Sequence, residues 1–148
     1  MKKKISPAVI TLWANRAVAL IVFALLFALP PLLDAYAKIR ILLPQERAAT
    51  LVAFYICAAI TGYALWQMDS LLRSILKGQV FIPQNVERIR AVQYCCGLVS
   101  LVCLPAAVYS YPLIFVVVIM AFLCLAVSVV SQVMGAAVAI REENDLTI

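Results

Sequence analysis

The stretch PLIFVVVIMAFLCLAVSVVSQVMGAAVAI, residues 112–140, runs without a single charged side chain. At about 1.5 Å per residue, a helix of that length is longer than a hydrocarbon core of about 30 Å, which about 20 apolar residues already cross. A helix on the surface of a soluble domain keeps one polar face for water, and this segment has none to offer. It reads as a membrane span that tilts, or that carries its last turns out of the bilayer.

Three further apolar runs lie upstream, at residues 17–33, 48–68 and 91–109. The 148-residue chain is 66% hydrophobic and only 13% charged, against about 45–50% and 25% in soluble domains. A soluble fold of this size would leave much of that apolar surface in water. The expected fold is therefore all-α: one integral membrane domain over residues 1–148, a four-helix bundle with short loops.

Local signals place the helix ends. Ser6-Pro7 suits an N-cap followed by proline at the first helical position. Pro30-Pro31 predicts a kink or an end of the first span. Asp34 to Thr50 mixes charges with Ile39, Ile41, Leu42 and Leu43, as a short amphipathic piece at a membrane surface would. Tyr63 and Trp66 are interfacial aromatics near the end of the second span. Leu71, Leu72, Ile75 and Leu76 continue that helix as one stripe, and Gly78 is its natural stop. Pro83 opens the third helix, Pro105 predicts a kink in it, and Pro112 opens the fourth. Lys2 to Lys4, the apolar run and Ala35-Tyr36-Ala37 also fit a cleavable secretory leader. That run is long for a leader, and Pro30-Pro31 sits well before the cleavage site, so a retained first span is the favoured reading.

Charge sets the orientation. Lys2, Lys3, Lys4, Arg16, Arg73, Lys77, Arg88, Arg90 and Arg141 fall on one side of the membrane, and Lys38, Arg40 and Arg47 on the other. The positive-inside rule puts the larger group, and with it both termini and the connector between helices 2 and 3, in the cytoplasm. The net charge of +5 thus reports orientation, and no direct contact with nucleic acid is expected.

Enzymatic chemistry finds no footing. The chain has no histidine, which removes histidine-based acid–base sites and Ser-His-Asp hydrolysis. Its glycines, at 62, 78, 97 and 135, form no phosphate loop. No acid falls inside a predicted span, where a proton-coupled pump would want one. Cys57, Cys95, Cys96, Cys103 and Cys124 make an odd set without a CxxC pair, so they read as buried structural thiols. Glu87-Arg88 superficially fits the small four-helix transferases that act on glutathione or lipid mediators, but the surrounding pattern does not. The expectation is a non-enzymatic protein without cofactor or metal.

Small residues recur every four positions at Ala58 and Gly62, and again at Ser131, Gly135 and Ala139. That spacing lets helices approach closely, within one chain or between copies in a homo-oligomer. A small oligomeric transporter or channel component is accordingly the alternative reading of function. Outside the spans, two segments look specified: the basic connector from Lys77 to Arg90, and the acidic tail from Glu142. Opposite charge suggests that the tail folds back onto Arg88 or Arg90.

Those two segments carry a resemblance. Gly78-Gln79-Val80-Phe81, then Asn85-Val86 and Arg88-Ile89-Arg90, together with the ending Arg141-Glu142-Glu143-Asn144-Asp145-Leu146-Thr147-Ile148, are similar to signatures of a bacterial membrane family, domain of unknown function 2975. The chain departs from the family pattern at Ile82-Pro83, where a Ser or Thr cap is commoner, and at Ala136 to Ile140. The resemblance implies four spans in a bacterial cytoplasmic membrane and no established activity. It further implies a cytoplasmic partner, a DNA-binding regulator of the helix-turn-helix type. The implied partner-binding residues are Phe81, Asn85, Arg88, Arg90, Glu142, Glu143, Asn144, Asp145, Leu146, Thr147 and Ile148.

Overall fold

A computed structural model describes residues 7–39 and 43–147. It contains four helices: α1 (Pro7–Ala37), α2 (Pro44–Leu76), α3 (Pro83–Tyr109) and α4 (Pro112–Leu146). Each is long and apolar enough to cross a membrane. The leader lysines, the Ser6 cap, Arg40, Ile41 and Leu42 lie outside the described residues.

α2, α3 and α4 each begin on a proline, and α1 is described from Pro7 onward. At the first helical position proline loses nothing, because its missing N–H would have had no partner there and its φ is already helical. Leu43 and Ile82, just before Pro44 and Pro83, are extended, as the clash with the proline ring favours, whereas Tyr111 before Pro112 is helical. The start at Pro44 places residues 44–50, expected as part of a surface segment, inside α2.

The prolines inside helices are more instructive. Of the two outcomes expected at Pro30-Pro31, a kink or an end, the end does not occur: α1 runs on through both prolines. Pro30 has no N–H for the carbonyl of Leu26, one turn earlier, and a bare carbonyl in hydrocarbon is costly. The phenol of Tyr55 on α2 donates to that carbonyl at 3.2 Å, so the neighbouring helix supplies what the proline removes. α3 likewise continues past Pro105 to Tyr109.

The packing is sequential. α1 packs on α2, α2 on α3 and α3 on α4, and no other two helices bring Cα atoms within 8 Å among the described residues. The four helices expected are present, but they pack in series and α4 does not close onto α1. The accessible surface of 10413 Å² agrees, since a compact monomer of this mass exposes about 7,500 Å². The physical reason lies in the solvent. Lipid tails cover an apolar helix face as well as another helix does, so no hydrophobic force closes the ring.

Most of the buried residues lie on the last turns of α2 and along α3, among them Leu71, Leu72, Val86, Ile89, Val99 and Cys103, with Ala53 earlier on α2 and Ser131 and Val138 on α4. Asn15 Nδ2 on α1 donates to the Leu65 carbonyl of α2 at 3.1 Å. Ser100 Oγ on α3 donates to the Val117 carbonyl of α4 at 3.2 Å. Gly97 faces Cys124, whose Sγ lies 3.5 Å from where a Cβ would stand. Between α2 and α3, the Sγ atoms of Cys57 and Cys103 are 3.6 Å apart. A disulfide needs sulfurs about 2.05 Å apart, so a small shift brings these two into bonding range. A variant that keeps only Cys57 and Cys103 is expected to form an intrachain disulfide under mild oxidation in membranes. Free thiols under those conditions, read by alkylation and mass spectrometry, would contradict the α2–α3 register.

Candidate functional site

The turn between α2 and α3 is the most highly organised polar structure among the described residues. Its backbone closes α2 in a Schellman arrangement. The Gly78 N–H donates to the Ile75 carbonyl at 3.0 Å, and the Gln79 N–H reaches back to the Ser74 carbonyl at 3.1 Å. Gly78 has φ +78°, a left-handed conformation that side chains with a Cβ disfavour. This is the stop expected from the sequence.

Asn85, in the first turn of α3, then locks the turn from the other side. Its Nδ2 donates to the Gln79 carbonyl at 2.7 Å and to the Val80 carbonyl at 3.0 Å. Its Oδ1 accepts from Arg88 Nη1 at 3.1 Å, and the same Nη1 donates to the Ser70 carbonyl on α2 at 3.2 Å. Ser74 Oγ adds a second donor to the Gln79 carbonyl at 3.1 Å. Asn85 of α3 thus satisfies the carbonyls that the turn leaves open, and Arg88 ties it back to the body of α2. Every fully buried side-chain polar atom among the described residues has a partner.

This geometry corrects one sequence reading. Asn85 was expected on a partner-binding surface, yet its relative exposure is 0% and its amide is used inside the turn. Arg88 is half-buried and bonded into the same clasp, whereas Phe81 and Arg90 are exposed. The residues behind the family resemblance therefore fall into two kinds. Gly78, Asn85 and Arg88 fold the turn, while Phe81 and Arg90 stand on its outside. A sequence cannot separate these kinds, because a buried amide and an exposed one are written with the same letter.

The tail is helical. α4 continues to Leu146, and Glu142 to Thr147 are all exposed. Thr147 Oγ1 donates to the Glu143 carbonyl at 2.8 Å and to the Asn144 carbonyl at 3.1 Å, which caps the end. Ile148 lies outside the described residues. Among the described residues no ion pair joins the tail to Arg88 or Arg90, so the expected fold-back is not found; the ion pairs seen are Arg16–Asp69, Arg73–Asp69 and Arg47–Asp34. The reason is reach. A Cβ on Gly135 would lie 3.8 Å from Val86, which sets that level of α4 beside the start of α3. From there α4 rises about another 16 Å to Leu146, against about 4.5 Å from Val86 back to Pro83. The last two turns of α4 thus project clear of the connector.

Of the small residues, Ser131 is buried on the α3 side of α4 and Gly135 sits beside Val86, while Ala139 is exposed. Ala58 and Gly62 line a groove between α1 and α2.

These features define a multi-pass, all-helical protein with membrane-length helices and an ordered polar turn. The model of the family described as "Protein of unknown function (DUF2975)" matches residues 32–148, and the chain belongs to that family. The match takes in the end of α1, the whole clasp and the projecting end of α4. No curated protein and no solved structure matches the chain.

The clasp makes a direct prediction. Asn85→Leu removes both donors to the turn and leaves the Val80 carbonyl bare, at a cost of about 1–3 kcal/mol. Asn85→Asp keeps the shape but has no N–H to give. Both variants are expected to lower the thermal unfolding midpoint in detergent while still inserting into membranes. An unchanged midpoint for Asn85→Asp would deny the amide its role as donor.

Proposed function

We propose that this is a non-enzymatic protein of the bacterial cytoplasmic membrane that holds a basic soluble protein, of the DNA-binding helix-turn-helix type, at the cytoplasmic surface. The observation that supports the reading is the chemistry of the projecting end of α4. Glu142, Glu143 and Asp145 stand there exposed, in the last turns of the helix. The C-terminal end of a helix already carries partial negative charge, so carboxylates there oppose the helix dipole. A helix that served only to close the chain would gain stability from basic residues at this end. The acidic end is unfavourable alone and favourable against a cationic surface, and proteins that bind DNA carry such surfaces.

The exposed Leu146 adds an apolar contact at the tip. Orientation with the connector and tail in the cytoplasm rests on the positive-inside count.

The test is crosslinking and affinity recovery from native membranes, with the recovered partner identified by mass spectrometry. Three forms are compared: the full chain, a chain ending at Arg141, and the triple variant Glu142→Gln, Glu143→Gln, Asp145→Asn. The expected result is recovery of a basic DNA-binding protein with the full chain only. The triple variant should lose the partner while its own helix becomes slightly more stable, by about 0.3–1 kcal/mol per charge at most. Equal recovery with all three forms would overturn the reading. Loss of thermal stability in the truncated form, with no partner recovered by any form, would assign the tail to locking the helices instead.

A further inference from the structure

Two open cavities meet at one arginine. The first, of about 420 Å³, is a groove between α1 and α2 walled by apolar side chains that include Val22, Phe23, Leu26 and Leu65. Its end nearer the connector carries Arg16, Asp69 and Arg73. The second, of about 520 Å³, is a recess at the clasp lined by Arg73, Lys77, Arg88, Ser70 and Gln84, among others. Arg73 lines both, so the cationic recess adjoins the charged end of the apolar groove.

We propose that groove and recess form one binding site for an anionic phospholipid drawn from the surrounding bilayer. An acyl chain lies between α1 and α2, and the phosphate sits against Arg73, Lys77 and Arg88.

Charge supports the headgroup end. Four cations line the two cavities against one carboxylate, Asp69. That carboxylate is already shared: Arg16 Nε approaches it at 3.2 Å and Arg73 contacts its other oxygen. No carboxylate lines the recess itself. Arg73 shares Asp69 with Arg16, and Arg88 is bonded only to neutral oxygens. Lys77 has no ion pair among the described residues, so the recess keeps a net positive charge for an anion. Basic pockets between helices at a membrane surface suit phospholipid headgroups for this reason.

Gly62 supports the chain end. A Cβ at this position would meet nothing within 4 Å, so no neighbour in the chain requires a glycine there. In the middle of a helix glycine costs about 1 kcal/mol relative to alanine. The room it leaves opens into the groove, where it widens the path for an alkyl chain. The groove volume falls within the range of small-molecule sites, about 300–1,000 Å³, and is too small for a helix of another protein. A free phosphate would use the recess and leave the apolar groove without purpose. The amphiphile explains both halves and their junction.

The test uses the full chain purified in mild detergent. Phosphatidylglycerol and phosphatidylcholine of the same acyl length are added, and retained lipid is counted by native mass spectrometry. The wild-type chain is expected to retain phosphatidylglycerol about tenfold or more over phosphatidylcholine. Gly62→Leu, which fills the groove, should lose retention, and Arg73→Gln with Lys77→Gln should lose the preference between the two lipids. Arg141→Gln, outside both cavities, should behave as wild type. Helical content by circular dichroism establishes that each variant is folded, and the charge variant decides the matter if Gly62→Leu is not. Equal retention of the two lipids by the wild-type chain would overturn the proposal. So would full displacement of phosphatidylglycerol by millimolar inorganic phosphate, which would mark the recess as a site for soluble anions.

Discussion

Inside a bilayer an unpaired backbone carbonyl has no water to turn to, and every departure from regular helix must be met by another part of the chain. That constraint accounts for the polar contacts among these helices. Tyr55 serves the Leu26 carbonyl that Pro30 leaves open. Side-chain donors within the spans obey the same rule: Ser100 Oγ finds the Val117 carbonyl across the α3–α4 contact, and Asn15 Nδ2 that of Leu65 across α1–α2. Beyond the spans, the α2–α3 turn is closed by Asn85 and Ser74, which donate to its carbonyls, with Arg88 tying Asn85 to the Ser70 carbonyl of α2. The α2–α3 hairpin is the frame, and α1 and α4 are attached to its two sides.

An open arrangement follows from the same solvent. In water the outer faces of α1 and α4 would drive closure; in lipid they are already covered. The consequence is functional room. A groove persists between α1 and α2 because nothing squeezes it shut, and α4 is free to outrun its neighbours and present an acidic end beyond the turn. The two ends of that design suit different partners. The cationic rim suits lipid phosphates, and the acidic tip suits a basic protein.

Much of the fold was legible in the residues. The uncharged run at 112–140 sets the environment, Pro83 and Pro112 mark helix starts, and Gly78 marks a stop. Pro44 carried the same signal as the other starting prolines but was masked by the charges around it, which suggested a loop. The passage of α1 through Pro30-Pro31 was not legible, because its remedy comes from Tyr55, about thirty residues away in the chain. The role of Asn85 was hidden for a related reason. Its motif is visible, but whether an amide faces outward or inward depends on where the Gln79 and Val80 carbonyls point. The open packing was hidden as well, since helical periodicity says which face is apolar and not whether lipid or protein covers it.

The central claim is that the helices pack in series, with α1 and α4 apart. Electron–electron distance measurements between spin labels in lipid nanodiscs test it most directly. Leu20 on α1 and Phe122 on α4, both exposed, carry the labels, and α1–α2 and α3–α4 pairs in the same protein provide the scale. Adjacent helices stand about 8–10 Å apart. The account predicts an α1–α4 distance longer than that of either adjacent pair. An α1–α4 distance as short as theirs would mean a closed bundle and would contradict it.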